Sequence, residues 1–98
     1  MLRKIQFTCR LFQEGDVVVS LCPEFNVSSF GDTAEEAVTS LYEAMDLFFR
    51  ECQRMGTLDT VLEEAGYRPV ESRRRQPLVR KWLPPRSLRT SRLEVSVA

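Results

Sequence analysis

A strand, a turn and a capped helix follow one another in the stretch SLCPEFNVSSFGDTAEEAVTSLYEAMDLFF, which runs from Ser20 to Phe49. Pro23 cannot donate a hydrogen bond to a neighbouring strand, so it predicts that a strand ends there. Thr33 is a suitable N-cap, with Glu36 three residues later completing a capping box, and Asp32 is an alternative cap one residue earlier. Apolar residues then recur with a helical period of about 3.6, which predicts a helix from about Ala34 to Arg54. Such a helix has one apolar face, and a sheet is expected to cover it.

The segments before this helix predict strands. The letters RKIQFTCRLF alternate apolar and polar residues, which is typical of a half-buried antiparallel strand. A turn around Gly15 and the β-branched run VVVSLC predict a hairpin, and FNVSSF predicts a short third strand. The polar face of the first strand is expected to be left to solvent or to a partner; it carries Lys4, Gln6, Thr8 and Arg10.

The second half of the chain predicts one short helix and one closing strand. A helix that starts at Thr57 should end at Gly66, which suits the left-handed position after a helix. Four prolines and nine basic residues between 68 and 92 favour an irregular segment. The whole pattern is β-β-β-α-α-β, an α+β fold with a small sheet and its helices on one face. We expect one domain, made of a core at 1–67, a basic Pro/Arg-rich connecting segment at 68–92 and a closing strand at 93–98.

Composition excludes several classes of function. The chain has no histidine, which removes Ser-His-Asp and Cys-His nucleophile systems and the common zinc protease motif. Its three cysteines form no C-x-x-C pair, so they are predicted to be small buried hydrophobic residues, with one reactive thiol as the alternative. No catalytic residue, metal or cofactor is predicted. No run of eight residues lacks a charge, so no membrane span or signal peptide is expected and the cytoplasm is the expected location.

The net charge of zero conceals a division along the chain. Residues 1–67 carry 5 basic and 12 acidic side chains, a net charge of −7, whereas residues 68–98 carry 9 basic and 2 acidic side chains, a net charge of +7. Such asymmetry is informative about partners. Three interpretations of the basic segment stay open: a solvated linker, a contact with a neighbouring subunit in a homo-oligomer, or a nucleic-acid-binding arm. In the second, Trp82 and Leu83 are the anchors. In the third, Trp82 stacks on a base and the phosphates are held by Arg73, Arg74, Arg75, Arg80 and Lys81.

The strand–turn–helix stretch also resembles the HicB-like antitoxin family. The residues that carry the resemblance are Pro23, Glu24, Gly31, Asp32, Thr33, Glu35, Glu36 and Ala37. Together with GTLDTVLEEAGY it covers about residues 3–67. The resemblance implies a degenerate ribonuclease H-like fold without nuclease activity. It also implies a partner, a small HicA-type toxin that cleaves messenger RNA and is neutralised when its surface is covered.

The predicted function is therefore that of a HicB-like antitoxin or an orphan relative, a protein-interaction module that forms a homo-oligomer and is not an enzyme. Glu24 and Asp32 are candidate partner contacts. Neither a helix-turn-helix nor a ribbon-helix-helix pattern follows Gly66, so the operator-binding domain of many family members is not expected here. The alternative is a standalone nucleic-acid-binding protein that acts through the arginine-rich segment 73–92.

Overall fold

A computed structural model describes residues 2–71, 79–83 and 91–97. Its elements follow in the order β1 (Leu2–Glu14), β2 (Val17–Cys22), β3 (Val27–Gly31), α1 (Ala34–Met55), α2 (Leu58–Glu64), β4 (Arg68–Glu71), β5 (Val79–Leu83) and β6 (Ser91–Val97). The predicted α+β class is confirmed. The segment 68–92 was predicted to be irregular, and this was wrong for β4 and β5, which are strands of the same sheet.

The sheet is built around β1. Strand β2 pairs antiparallel with residues 10–14 of β1, and β6 pairs antiparallel with residues 3–9. Strand β5 runs parallel to β1 over residues 2–5, so the sheet is mixed. Because β5 and β6 both pair with residues 3–5, they lie on opposite edges of β1. The first strand of the chain thus holds three others in one sheet.

Both helices cover the same face of this sheet. Ile5 and Phe7 of β1 are fully buried, and the Phe7 and Phe49 rings meet edge to face with centroids 6.2 Å apart. Arg3 points to the same side as Ile5, and its Nε donates to Asp59 Oδ1 of α2 at 3.0 Å. The core also includes all three cysteines, as predicted. Its members are Ile5, Phe7, Cys9, Cys22, Leu41, Met45, Phe49, Cys52, Leu58, Leu62, Tyr67, Trp82, Val95 and Val97.

The predicted N-cap of α1 is confirmed. The Thr33 Oγ1 accepts a hydrogen bond from the Glu36 backbone nitrogen at 3.1 Å. The return bond of the capping box goes one residue further back than the usual pattern, since Glu36 Oε2 accepts from the Asp32 nitrogen at 2.9 Å. At the other end Gly56 takes a left-handed φ of 73°, and α1 ends there. Local capping therefore fixes both ends of the helix.

Gly31 allows α1 to approach the sheet closely. A Cβ at Gly31 would lie 2.6 Å from both the Ala37 nitrogen and the Glu36 Cβ. The Ser20 hydroxyl, fully buried on the neighbouring strand, donates to the Ala37 carbonyl at 2.7 Å. The absence of a side chain at Gly31 therefore leaves space for the helix backbone. Small side chains at this crossing place the start of α1 directly beside β3.

Candidate protein-interaction surface

A row of apolar side chains crosses three strands on the face of the sheet that the helices leave open. The register places Phe12 of β1 opposite Val19 of β2, and Val19 opposite Phe30 of β3. Directly opposed residues project to the same face, and this face is the one away from the buried Ser20. We call these three residues the outer row. Phe12 is 46% exposed and Phe30 is 67% exposed.

Two exposed aromatic rings on one face of the sheet, on β1 and β3 with β2 between them, are unusual on a protein surface and are typical of an interaction site. The sequence placed only polar side chains of the first strand on this face, and the expectation that they are left to solvent or a partner is wrong for Thr8, which is fully buried. Side chains alternate between the two faces along β1, so Phe12, two residues after Arg10, lies on the open face as well. The contribution of Val19 and Phe30 emerges only from the register of all three strands, which no local pattern specifies.

Beside the outer row lies an open groove with an acidic lining. It has a volume of about 550 Å³ and lies between the end of β3 and the first half of α1. We call it the acidic groove; its lining residues are Phe30, Gly31, Asp32, Glu35, Glu36, Thr39, Ser40 and Glu43. Four of them are carboxylates and none is basic. Within residues 3–70, 82–83 and 92–97, whose side chains the structure describes, no lysine or arginine forms an ion pair with any of the four.

The two candidate partner contacts have different positions. Asp32 is exposed and lines the acidic groove, so its carboxylate faces solvent beside Glu35. Glu24 is half-buried and its carboxylate bonds within the chain. Its Oε1 accepts from the Thr8 backbone nitrogen at 2.8 Å, and its Oε2 accepts from the Thr8 hydroxyl. Glu24 therefore links the turn after β2 to the middle of β1.

The Pro-Glu pair that ends β2 has a clear physical basis. If the register of β1 and β2 continued, Pro23 would lie opposite Thr8. A proline ends the pairing there, and the neighbouring carboxylate supplies the acceptor for the buried Thr8 N–H. Sequence analysis recognised the strand end but not this bond, which joins residues that are 16 positions apart.

Burial beside Glu24 keeps two titratable groups neutral. Burial and the nearby Glu24 charge raise the pKa of the Cys22 thiol from 9.0 to about 12. Burial, followed by the charge of Glu24, also raises the pKa of the Tyr67 phenol. Burial also raises the pKa of the Cys9 thiol. A nucleophilic cysteine needs the opposite shift, so the geometry disfavours a reactive thiol at Cys9 or Cys22.

The residues of the basic segment that were predicted to bind a partner or nucleic acid lie partly in the core and partly outside the described residues. Trp82 is 2% exposed and packs in the core, where β5 brings it beside Ile5. It is therefore not available to contact a partner or to stack on a base. Leu83 is half-buried next to it. Arg73, Arg74 and Arg75 lie outside the described residues. The backbone register brings Arg80 beside Arg3 and Lys81 beside Lys4.

Two further findings concern the described residues only. No group of three or more histidine, cysteine, aspartate or glutamate side chains there is arranged to hold a metal ion. Neither of the two helices in that part of the chain is long and apolar enough to cross a membrane.

Comparison with protein-family models, with curated proteins and with solved structures finds no match to this chain. The HicB-like resemblance thus rests on the residues quoted above.

Proposed function

We propose that this chain is a binding protein of the HicB-like antitoxin type, which neutralises a small RNA-cleaving toxin by covering its surface. The outer row is the observation that supports this proposal most directly. Phe12, Val19 and Phe30 present apolar surface on the open face of the sheet, where burial against a partner is favourable at about 25 cal/mol per Å². The strand–turn–helix residues of the resemblance build the scaffold that holds this row.

The acidic groove adds a preference for the charge of the partner. Its four carboxylates lie at one end of the outer row, where Phe30 belongs to both surfaces. Carboxylates without described cationic neighbours attract a basic protein and suppress binding of an acidic one. A toxin that binds RNA needs a basic surface of its own, and that surface is complementary to the groove.

The alternative function, nucleic-acid binding, has less support from the structure than binding of a basic protein. Trp82, which that alternative needs for base stacking, is buried in the core. The surface described around α1 is acidic and repels phosphates.

Co-expression tests the proposal. The full chain is expressed together with the product of each neighbouring reading frame, and growth and messenger-RNA integrity are followed. We expect one neighbour to arrest growth and degrade messenger RNA, and the chain to reverse both effects and co-purify with it. The proposal is wrong if no neighbour is toxic, or if a toxic neighbour is neither bound nor neutralised.

Variants of the outer row then identify the surface. Phe12→Ser and Phe30→Ser together should abolish neutralisation while the circular dichroism spectrum and the unfolding midpoint stay close to those of the wild type. Met55→Ser is the matched control, because Met55 is 62% exposed at the far end of α1 and belongs to neither surface. Equal loss with Met55→Ser would contradict the assignment to the outer row.

A further inference from the structure

Three strands of the sheet have a single strand partner within the described residues, and they differ in how their sequences treat that open edge. Strand β4 carries Arg68, Pro69 and Glu71, and β6 carries Arg92 and Glu94. Charges and prolines are the usual devices that keep an edge strand from pairing with another chain. Strand β3 has the sequence VSSFG and contains neither. Its edge is the one left without such protection.

The two faces beside β3 differ in chemistry. On the helix side lies the acidic groove, with Glu35 and Glu43 of α1 and Asp32 just after the strand. On the open side Phe30 is the last member of the outer row, and it is 67% exposed. A strand added to this edge would project alternate side chains to the two faces. One set would meet carboxylates and the other would extend the apolar row.

From this arrangement we infer that the free edge of β3 binds an extended segment of the partner protein in which basic and apolar residues alternate. The inference rests on the proposed function and adds the recognition chemistry. Backbone hydrogen bonds to β3 supply affinity that is independent of sequence, as in other cases of strand addition. The arginine or lysine positions face the acidic groove, and the apolar positions pack beside Phe30.

A second copy of β3 fits this edge less well than a basic partner. Its sequence VSSFG offers no cation to the groove. An isologous β3–β3 pairing would also bring two acidic grooves toward each other across the symmetry axis, which is unfavourable. Charge complementarity therefore selects a cationic strand from another protein.

A peptide titration of the isotope-labelled full chain tests the inference. The probe is a blocked nine-residue peptide in which arginine and valine alternate; the control peptide has the same composition with all arginines grouped at one end. We expect the alternating peptide to shift the amide resonances of residues 27–31 and of the first half of α1. The grouped peptide should bind more weakly and shift them less. Equal binding of the two peptides, or shifts centred on β4 or β6, would overturn the inference.

Charge variants give the second readout. Glu35→Gln with Glu43→Gln should weaken binding of the alternating peptide by about fivefold, as expected for the loss of two exposed ion pairs. Glu63→Gln with Glu64→Gln is the matched control, because it makes the same change in net charge on the exposed side of α2. If the two double variants weakened peptide binding equally, affinity would depend only on the overall charge of the protein, and the proposed site at β3 would be refuted.

The outcomes separate the inference from the proposed function. If the peptide fails to bind β3 while Phe12→Ser with Phe30→Ser still abolishes neutralisation, the inference is wrong and the proposed function stands. If the peptide binds β3 but no neighbouring gene product is neutralised, the proposed function fails and strand addition at β3 stands. If the β3 resonances shift on raising the protein concentration without peptide, a second copy occupies the edge and the inference is refuted.

Discussion

The Glu24 carboxylate accepts the backbone N–H of Thr8 at 2.8 Å, at the point where β2 has ended and its register with β1 would have placed Pro23. Thr8 is fully buried, so its N–H has no access to water as a substitute. The same carboxylate accepts the Thr8 hydroxyl and lies 3.4 Å from the Cys22 sulfur. One side chain thus satisfies several buried polar groups at the junction of β1 and β2.

Replacing Glu24 should destabilise the fold. Glu24→Ala leaves the buried Thr8 N–H without an acceptor, which costs about 1–3 kcal/mol in free energy of unfolding. Glu24→Gln retains an acceptor oxygen and should cost less. Urea unfolding measures both, with the exposed Glu63→Ala as a control that should change stability by less than about 0.5 kcal/mol. An unfolding midpoint of Glu24→Ala equal to that of the control would show that this bond is not needed.

Adding a methyl group at Gly31 should push α1 away from the sheet. Because a Cβ there would lie 2.6 Å from the Ala37 nitrogen, Gly31→Ala requires a backbone shift and should cost roughly 1–3 kcal/mol. Ser28→Ala, at an exposed position of the same strand, is the control for the strand itself. Thermal unfolding of the two variants makes the comparison. Similar melting temperatures would rule out the close helix approach as the reason for glycine.

Stability should fall as the pH rises above 9. The pKa of Cys22 is raised from 9.0 to about 12 in the folded protein, so above pH 9 the unfolded chain loses this proton while the folded chain keeps it. The folded state then binds more protons, and the free energy of unfolding decreases with pH, by about 1 kcal/mol from this group between pH 8 and pH 10. Tyr67 acts in the same direction at higher pH.

Urea unfolding at pH 8 and pH 10 measures this dependence, and Cys22→Ala should reduce it because the titrating group is gone. The same shift predicts that the Cys22 thiol reacts with alkylating reagents far more slowly in the native protein than in urea. Rapid native alkylation of Cys22, or an identical pH dependence in Cys22→Ala, would contradict the assignment.

Loss of the N-cap should weaken α1. Thr33→Ala removes the acceptor of the Glu36 N–H and should cost about 1 kcal/mol, whereas Thr33→Ser keeps the hydroxyl and should have little effect. Thr39→Ala, at an exposed position inside the helix, should be neutral or slightly stabilising because alanine has the higher helix propensity. Helix content and thermal midpoints distinguish these cases. A Thr33→Ala variant as stable as Thr39→Ala would rule out a contribution from the cap.

Local signals were sufficient to predict the first half of the fold. These signals are Pro23, the capping box at Thr33 and the apolar period of α1, and each acts over a few residues. The structure has β2 and α1 begin and end close to where these signals indicate. The strands β4 and β5 were missed because their stability is not local. Strand β5 pairs with β1 across about 77 positions of the chain, and Trp82 is buried by that pairing despite its basic neighbours.

The candidate surface was predictable only in part. Asp32, one of the residues that carry the resemblance, was predicted as a partner contact, and it lines the acidic groove. The outer row requires knowing that Phe12, Val19 and Phe30 share a face, which depends on two strand registers. Glu24 is a candidate contact as one of the residues that carry the resemblance, but its carboxylate is bound inside the chain by a contact that sequence spacing does not reveal.

The pairing of β1 with β6 has a consequence for synthesis. Residues 3–9 leave the ribosome long before residues 91–97, which are their antiparallel neighbours. Until those arrive, one long edge of β1 has no partner, and an unpaired hydrophobic edge is a template for aggregation. The nascent chain is therefore most vulnerable just before its sheet can close, and conditions that slow translation of the last third should lower the yield of folded protein.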